Sequence, residues 1–91
     1  MLNPTVSLMN NSQNYKKILY RSLHRGCKET DILLGKFAEA RLDKLSEKDF
    51  ALYDDFIQED DAEIYDWLLS TTPAKEEYRQ LVLMIQQFHN L

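Results

Sequence analysis

Ninety-one residues with 44% apolar side chains suit one domain around a single core, with no need of a metal or a disulfide framework. Cys27 is the sole cysteine, which excludes an internal disulfide and fits a reducing compartment. Fifteen acids against eleven bases leave a formal charge of −4, which argues against nucleic acid as a partner because phosphate binding needs cations.

No apolar run approaches the roughly 20 residues that cross a bilayer, so no membrane insertion is expected. Residues 1–11 carry neither Arg nor Lys, unlike a signal or transit peptide. The expectation is a bacterial cytoplasmic protein, with the mitochondrial matrix as the setting only if a presequence has been removed. Residues 1–11 read as a flexible, polar lead-in, and residues 12–91 as the folded domain.

With two Gly and two Pro in the whole chain, breakers are scarce and long helices are favoured over strands and turns. Ser12 can cap a first helix running to about Arg25, with Tyr15, Ile18, Leu19 and Leu23 as its apolar stripe. Gly26 then stops it, since glycine enters the left-handed conformation at little cost. A second helix opens near Glu29 to Asp31, where acids suit the positive end of the helix dipole. Its buried stripe is Leu34, Phe37, Ala38, Arg41, Leu42 and Leu45, with the Arg41 stem lying along the apolar side. Gly35 inside this helix costs roughly 1 kcal/mol against Ala, so a close helix–helix approach is expected there.

Ser46-Glu47-Lys48-Asp49 resembles a capping box with Asp in place of the usual Glu, and starts a third helix with Phe50, Tyr53 and Ile57 on its core side. Asp60 with Glu63 three residues later starts a short fourth helix carrying Ile64, Trp67 and Leu68. Thr72 is expected to cap a fifth, with Pro73 at its first position and Tyr78, Leu81, Val82, Ile85 and Phe88 as its stripe. The fold class expected is all-α, a compact five-helix bundle.

Catalytic and metal constellations are poor. A nucleophile pair would need Cys27 beside His24 or His89, but Gly26 lies between His24 and Cys27 and no orienting third group is evident. One Cys and two distant His do not make a zinc set, and no phosphate-binding glycine motif occurs. No catalytic residue, no metal site and no stably bound cofactor are expected.

The segment Arg25-Gly26-Cys27-Lys28-Glu29-Thr30-Asp31 stands apart. Helix termination accounts for Gly26, Glu29 and Asp31. Arg25 could stabilise carbonyls at a helix end, yet its planar five-donor head also suits a carboxylate or phosphate. As a surface turn the segment would offer a compact polar patch. The grouping of Lys16, Lys17, Arg21, Arg25, Lys28 and Lys36 early in the chain, and of Glu59, Asp60, Asp61 and Glu63 later, could orient a protein partner.

Arg25-Gly26-x-x-Glu29, followed by Asp31, Leu33, Leu34 and Phe37, resembles the RGxxE motif and following helix of the succinate dehydrogenase FAD assembly factors. A second block, from Phe56 through Asp60-Asp61 to Trp67-Leu68, resembles that family's acidic turn and Trp-Leu helix. Thr30 departs from the family, where leucine is common, and Cys27 stands where a larger apolar residue is frequent. The resemblance covers about residues 14 to 88. It implies a five-helix protein that binds the flavoprotein subunit of succinate dehydrogenase, and the fumarate reductase flavoprotein as a further client. It also implies that the protein promotes formation of the histidyl–FAD bond without being an enzyme itself. By position in the motif, Arg25, Gly26 and Glu29 would touch the partner, with Asp31 beside them. Arg25 is then expected to be dispensable for stability. The alternative comes from a different class of function: an antitoxin-like or regulatory protein-binding module, which nothing in a small acidic helical chain excludes.

Overall fold

The computed structural model describes the backbone of residues 4–91 and the side chains from Asn14 onward. Five α-helices follow one another: α1 (Pro4–Leu23), α2 (Lys28–Arg41), α3 (Glu47–Phe56), α4 (Asp61–Leu68) and α5 (Arg79–His89). Single 3₁₀ turns, Leu42–Lys44 and Glu76–Tyr78, follow α2 and precede α5. No strand occurs among the described residues, and none of their helices is long and apolar enough to cross a membrane. The all-α expectation is met.

Helix α2 is the hub, packing against α1, α4 and α5. Its stripe places Leu34, Phe37 and Ala38 in the core with no exposed surface. Around it lie Ile18 of α1, Tyr53 and Phe56 of α3, Ile64, Trp67 and Leu68 of α4, and Leu81, Val82 and Ile85 of α5. Aromatic rings run through this core in an unbroken line: Phe88 to Phe37 at 5.7 Å, Phe37 to Tyr53 at 5.9 Å, Tyr53 to Phe56 at 6.3 Å and Phe56 to Trp67 at 6.0 Å. Tyr78 closes it against both Phe56 and Trp67. Such pairs add roughly 0.5–1.5 kcal/mol each beyond their buried area.

The close approach expected at Gly35 is present. A Cβ on this residue would stand 2.7 Å from Leu23 Cδ2, so the absent side chain is what lets α1 and α2 meet. A second tie between elements was not visible in the apolar stripes. Ser22, fully buried, donates to the Ile18 carbonyl at 2.8 Å, which leaves its oxygen to accept the Tyr53 hydroxyl, also at 2.8 Å. This pair links α1 to α3 through the interior.

Two helices differ from expectation in their bounds. Helix α1 begins at Pro4 and ends at Leu23, not Ser12 and Arg25. It thus takes in residues 4–11 of the stretch read as a lead-in, while residues 1–3 lie outside the described residues. Proline suits a first helical position, where its missing N–H costs nothing, and neither Gly nor Pro interrupts the chain from there to Gly26. Helix α5 begins at Arg79, and Thr72 does not cap it. The amides of Thr71 and Thr72 turn back to the Asp66 carbonyl at 2.8 and 3.5 Å, after Ser70 has taken a left-handed conformation at φ 60°. These residues therefore finish α4 instead of starting α5. By contrast Ser46 caps α3 as expected, accepting the Asp49 amide at 3.1 Å.

Trp67 is only 6% exposed, and Trp67→Ala is expected to cost about 3–5 kcal/mol; an unchanged chemical-denaturation midpoint would contradict its place in the core. Alkaline titration tests the buried tyrosine. Burial pushes the Tyr53 hydroxyl up to about 12, against an opposing pull from the Ser22 hydrogen bond and the Arg25 charge. Its folded value lies above its unfolded one, so the stabilisation it contributes is complete below pH 10 and is lost as pH rises through 12. Burial with the nearby Glu59 and Glu77 charges raises Tyr78 to about 12 as well. Urea midpoints should therefore fall across this window, and Tyr53→Phe should remove part of the fall.

Candidate functional site

Helix α1 ends one residue before a tight turn whose geometry depends on Gly26, at φ +94°. Nothing lies within 4 Å of where a Cβ would stand on it. The demand on this position is therefore conformational, not steric: a left-handed residue with open space in front. Gly26, Lys28 and Glu29 are exposed, Cys27 is half-buried, and α2 starts at Lys28 with Glu29 and Asp31 in its first turn. Here acids favour the positive helix end.

Arg25 does not project from this turn. Its side chain is 11% exposed and points inward across the bundle to the α3–α4 connection. Its Nε donates to Asp61 Oδ1 at 2.7 Å, one terminal nitrogen donates to the Glu59 carbonyl at 2.8 Å, and the other to the Ile57 carbonyl. Ile57 is the C-cap of α3 and Asp61 the first residue of α4. The guanidinium therefore satisfies a carbonyl at the negative end of one helix and another in the connection beyond it, and pairs with a carboxylate at the positive end of the next. The Arg25 amide in turn donates to Asp31 Oδ1, so Asp31 closes the turn from the α2 side.

This geometry corrects the expectation that Arg25 is dispensable for stability. Arginine does meet backbone carbonyls here, but they belong to the α3–α4 connection and not to its own helix. The two blocks that carried the family resemblance, Arg25 to Asp31 and Phe56 to Leu68, are joined by this one side chain. Asp61 is a site residue that sequence reasoning did not single out; the acidic turn it sits in was the available signal. Of the four expected contact residues, Gly26 and Glu29 face solvent, while Arg25 and Asp31 are engaged within the chain.

Next to this patch, Glu59 accepts from Lys75 Nζ at 3.0 Å and from the Tyr78 hydroxyl at 3.3 Å. The hydrogen bond that Lys75 donates to Glu59 raises the Lys75 pKa, with neighbouring acids adding to it. Under the turn, the fully buried Thr30 Oγ1 finds no hydrogen-bond partner among the described residues, an unfavourable feature at a position where the resembled family commonly has leucine.

The arrangement positions a surface and offers little for chemistry. The Cys27 thiol lies 3.5 Å from Glu29 Oε2, while His24 stacks on Tyr20 with ring centroids 4.3 Å apart and His89 reaches the Leu33 carbonyl at 2.7 Å. No group of three or more His, Cys, Asp or Glu among the described residues could hold a metal ion.

Comparison with known proteins gives a consistent result. A family model described as "Flavinator of succinate dehydrogenase" matches residues 16–89. A Dictyostelium discoideum protein named "Succinate dehydrogenase assembly factor 2, mitochondrial" is 39% identical over 74 residues, covering 81% of this chain and 52% of that protein. Two bacterial proteins are named "FAD assembly factor SdhE". The Coxiella burnetii one is 34% identical over 80 residues, 87% of this chain and 96% of its own length. The Acetobacter pasteurianus one is 36% identical over 62 residues, 68% of this chain and 57% of its own length. The chain thus spans about half the length of the Dictyostelium and Acetobacter relatives and nearly all of the Coxiella one. No solved structure matches the chain.

Arg25→Ala is expected to destabilise the fold by about 2–3 kcal/mol, because it strips partners from two backbone carbonyls and a half-buried carboxylate. Asp61→Asn should cost less, since it keeps an acceptor facing Nε. A melt of Arg25→Ala within experimental error of the parent would show that these bonds do not hold the bundle in solution.

Proposed function

The chain belongs to the family described as the flavinator of succinate dehydrogenase, and on that premise we propose that it binds the flavoprotein subunit of succinate dehydrogenase and promotes covalent attachment of FAD to it. The relatives' names support this reading, since they describe FAD assembly and succinate dehydrogenase assembly. The observation that carries it is the exposed Gly26–Glu29 turn, which is fixed in place by Arg25 and Asp31.

In this reading the protein is an assembly factor and not an enzyme. It holds no FAD of its own, and the flavoprotein supplies both the reacting histidine and the cofactor site. Acceleration then comes from holding the flavoprotein in a reactive arrangement, which lowers the entropic part of the barrier. A rigid contact surface suits that task, because a turn already ordered in the free protein loses little conformational freedom on docking. Gly26 and Glu29 are the contact residues, with Gly26 letting the partner's backbone come close. Arg25 and Asp31 act behind them as positioning residues. The fumarate reductase flavoprotein, whose FAD attachment poses the same problem, is a second client. The working compartment is the bacterial cytoplasm or the mitochondrial matrix.

The test is covalent flavin on the isolated succinate dehydrogenase flavoprotein, read by in-gel fluorescence with and without this protein at limiting concentration. The parent chain should raise the covalent fraction. Gly26→Arg should abolish the effect while costing only about 1–2 kcal/mol of stability, the strain of a left-handed non-glycine residue. Glu29→Gln should weaken it with a melting temperature close to the parent's. Equal covalent flavin with and without the parent protein would refute the proposal.

A further inference from the structure

A half-open cleft of about 400 Å³ lies between the end of α2, the start of α3 and one side of α5. Its base is apolar: Phe37 is fully buried, and Phe88 and Met84 are partly buried against the core. Two exposed cations stand at its mouth, Arg41 and Lys44. The Arg41 guanidinium lies over the Phe88 ring, 5.4 Å from its centroid. Stacking uses the face of the guanidinium and leaves its N–H edges available, and among the described residues those edges meet no hydrogen-bond or salt-bridge partner. Lys44 bonds the Ala40 carbonyl at 3.2 Å, and its nearest carboxylate, Asp43, is 3.9 Å away and well exposed, a weak pairing. One acid, Asp49, also lines the cleft. It sits in the first turn of α3 and makes no ion pair with either cation.

In a chain of net charge −4, these two cations above an aromatic floor, with only the exposed Asp43 within 4 Å of Lys44, give the cleft a basic rim. We propose that this cleft is a docking point for a protein segment in which an apolar side chain adjoins a carboxylate. The apolar group would rest on Phe37, Met84 and Phe88, and the carboxylate would meet the edge of Arg41 with support from Lys44. A guanidinium already stacked on an aromatic ring is pre-organised to bind a carboxylate through two parallel hydrogen bonds. Leu83 is 45% exposed and lies one helical turn before Gln87 of the cleft wall, which extends the apolar surface beyond the rim. Arg41 is about 20 Å along α2 from Lys28, at 1.5 Å per residue, so this docking point is separate from the Gly26–Glu29 turn. The inference does not require the partner proposed for that turn.

The test titrates the isotope-labelled full chain, observed by NMR, with N-acetyl-Phe-Glu-amide and with N-acetyl-Phe-Gln-amide. Saturable shifts are expected at Arg41, Lys44 and Phe88, with binding at least five-fold tighter for the Glu peptide. In Arg41→Gln the preference for Glu should disappear, and Lys44→Gln, at an exposed position, should reduce it. Three results would overturn the proposal: equal affinity for the two peptides, shifts centred outside the cleft, or saturation of the same signals by inorganic phosphate as readily as by the Glu peptide.

Discussion

The Arg25 guanidinium sits where the α1–α2 turn meets the α3–α4 connection, and the placement of the exposed turn follows from it. Withdrawing an arginine from water is costly unless its donors are satisfied. Here a carboxylate and two carbonyls from the α3–α4 connection satisfy them within the chain. One of them, the Ile57 carbonyl, belongs to the C-cap of α3 and lacks a partner inside its own helix. A single side chain therefore settles several unmet hydrogen-bonding demands, and in doing so binds the α1–α2 turn to the far side of the bundle. The Asp31 bond to the Arg25 amide keeps the backbone of the turn in register with that anchor. What is left facing solvent is small: a left-handed glycine and the first turn of α2.

The apolar core supports this arrangement from below. The line of aromatic rings from Phe88 to Tyr78 crosses from α5 through α2, α3 and α4 and back to the 3₁₀ turn ahead of α5. Helix α1 is attached to that core by two short-range devices, the Gly35 notch that receives Leu23 and the Ser22–Tyr53 hydrogen bond. Both act near the C-terminal end of α1, close to the turn. Motion of α1 there would displace Arg25, so packing and site geometry are coupled at this end of the bundle.

Charge is distributed in the same spirit. The basic early segment meets the acidic later one within the molecule through Arg25 with Asp61, and Lys75, late in the chain, pairs with Glu59. Exposed pairs of this kind contribute little, whereas the largely enclosed Arg25 pair matters for structure. Arg41 and Lys44, with only the exposed Asp43 within 4 Å of Lys44, lie at the opposite end of α2 from the turn.

Much of the fold was legible in the order of residues. Apolar spacing located five helices, Ser46 marked the start of α3, Gly26 marked a left-handed stop, and Gly35 announced a close approach, because each of these depends on backbone preferences within one or two turns. The motif around Arg25 and the acidic turn before Trp67 were also visible as two resembling blocks. Tertiary structure decided what joins them. Local rules give an arginine at a helix end its own carbonyls or solvent as partners; they carry no information about a carbonyl 32 residues away. The Ser22–Tyr53 pair, 31 residues apart, escaped for the same reason, since a serine on an apolar stripe shows no sequence sign of a buried partner. Thr72 was misread because its capping competence is local, while the pull of the Asp66 carbonyl on the Thr71 and Thr72 amides depends on how α4 ends. Sequence by itself thus determined the helices and the residues of the turn. Which of those residues face solvent and which hold the bundle together was decided only by packing, because burial and long-range hydrogen bonds exist only once the helices have met.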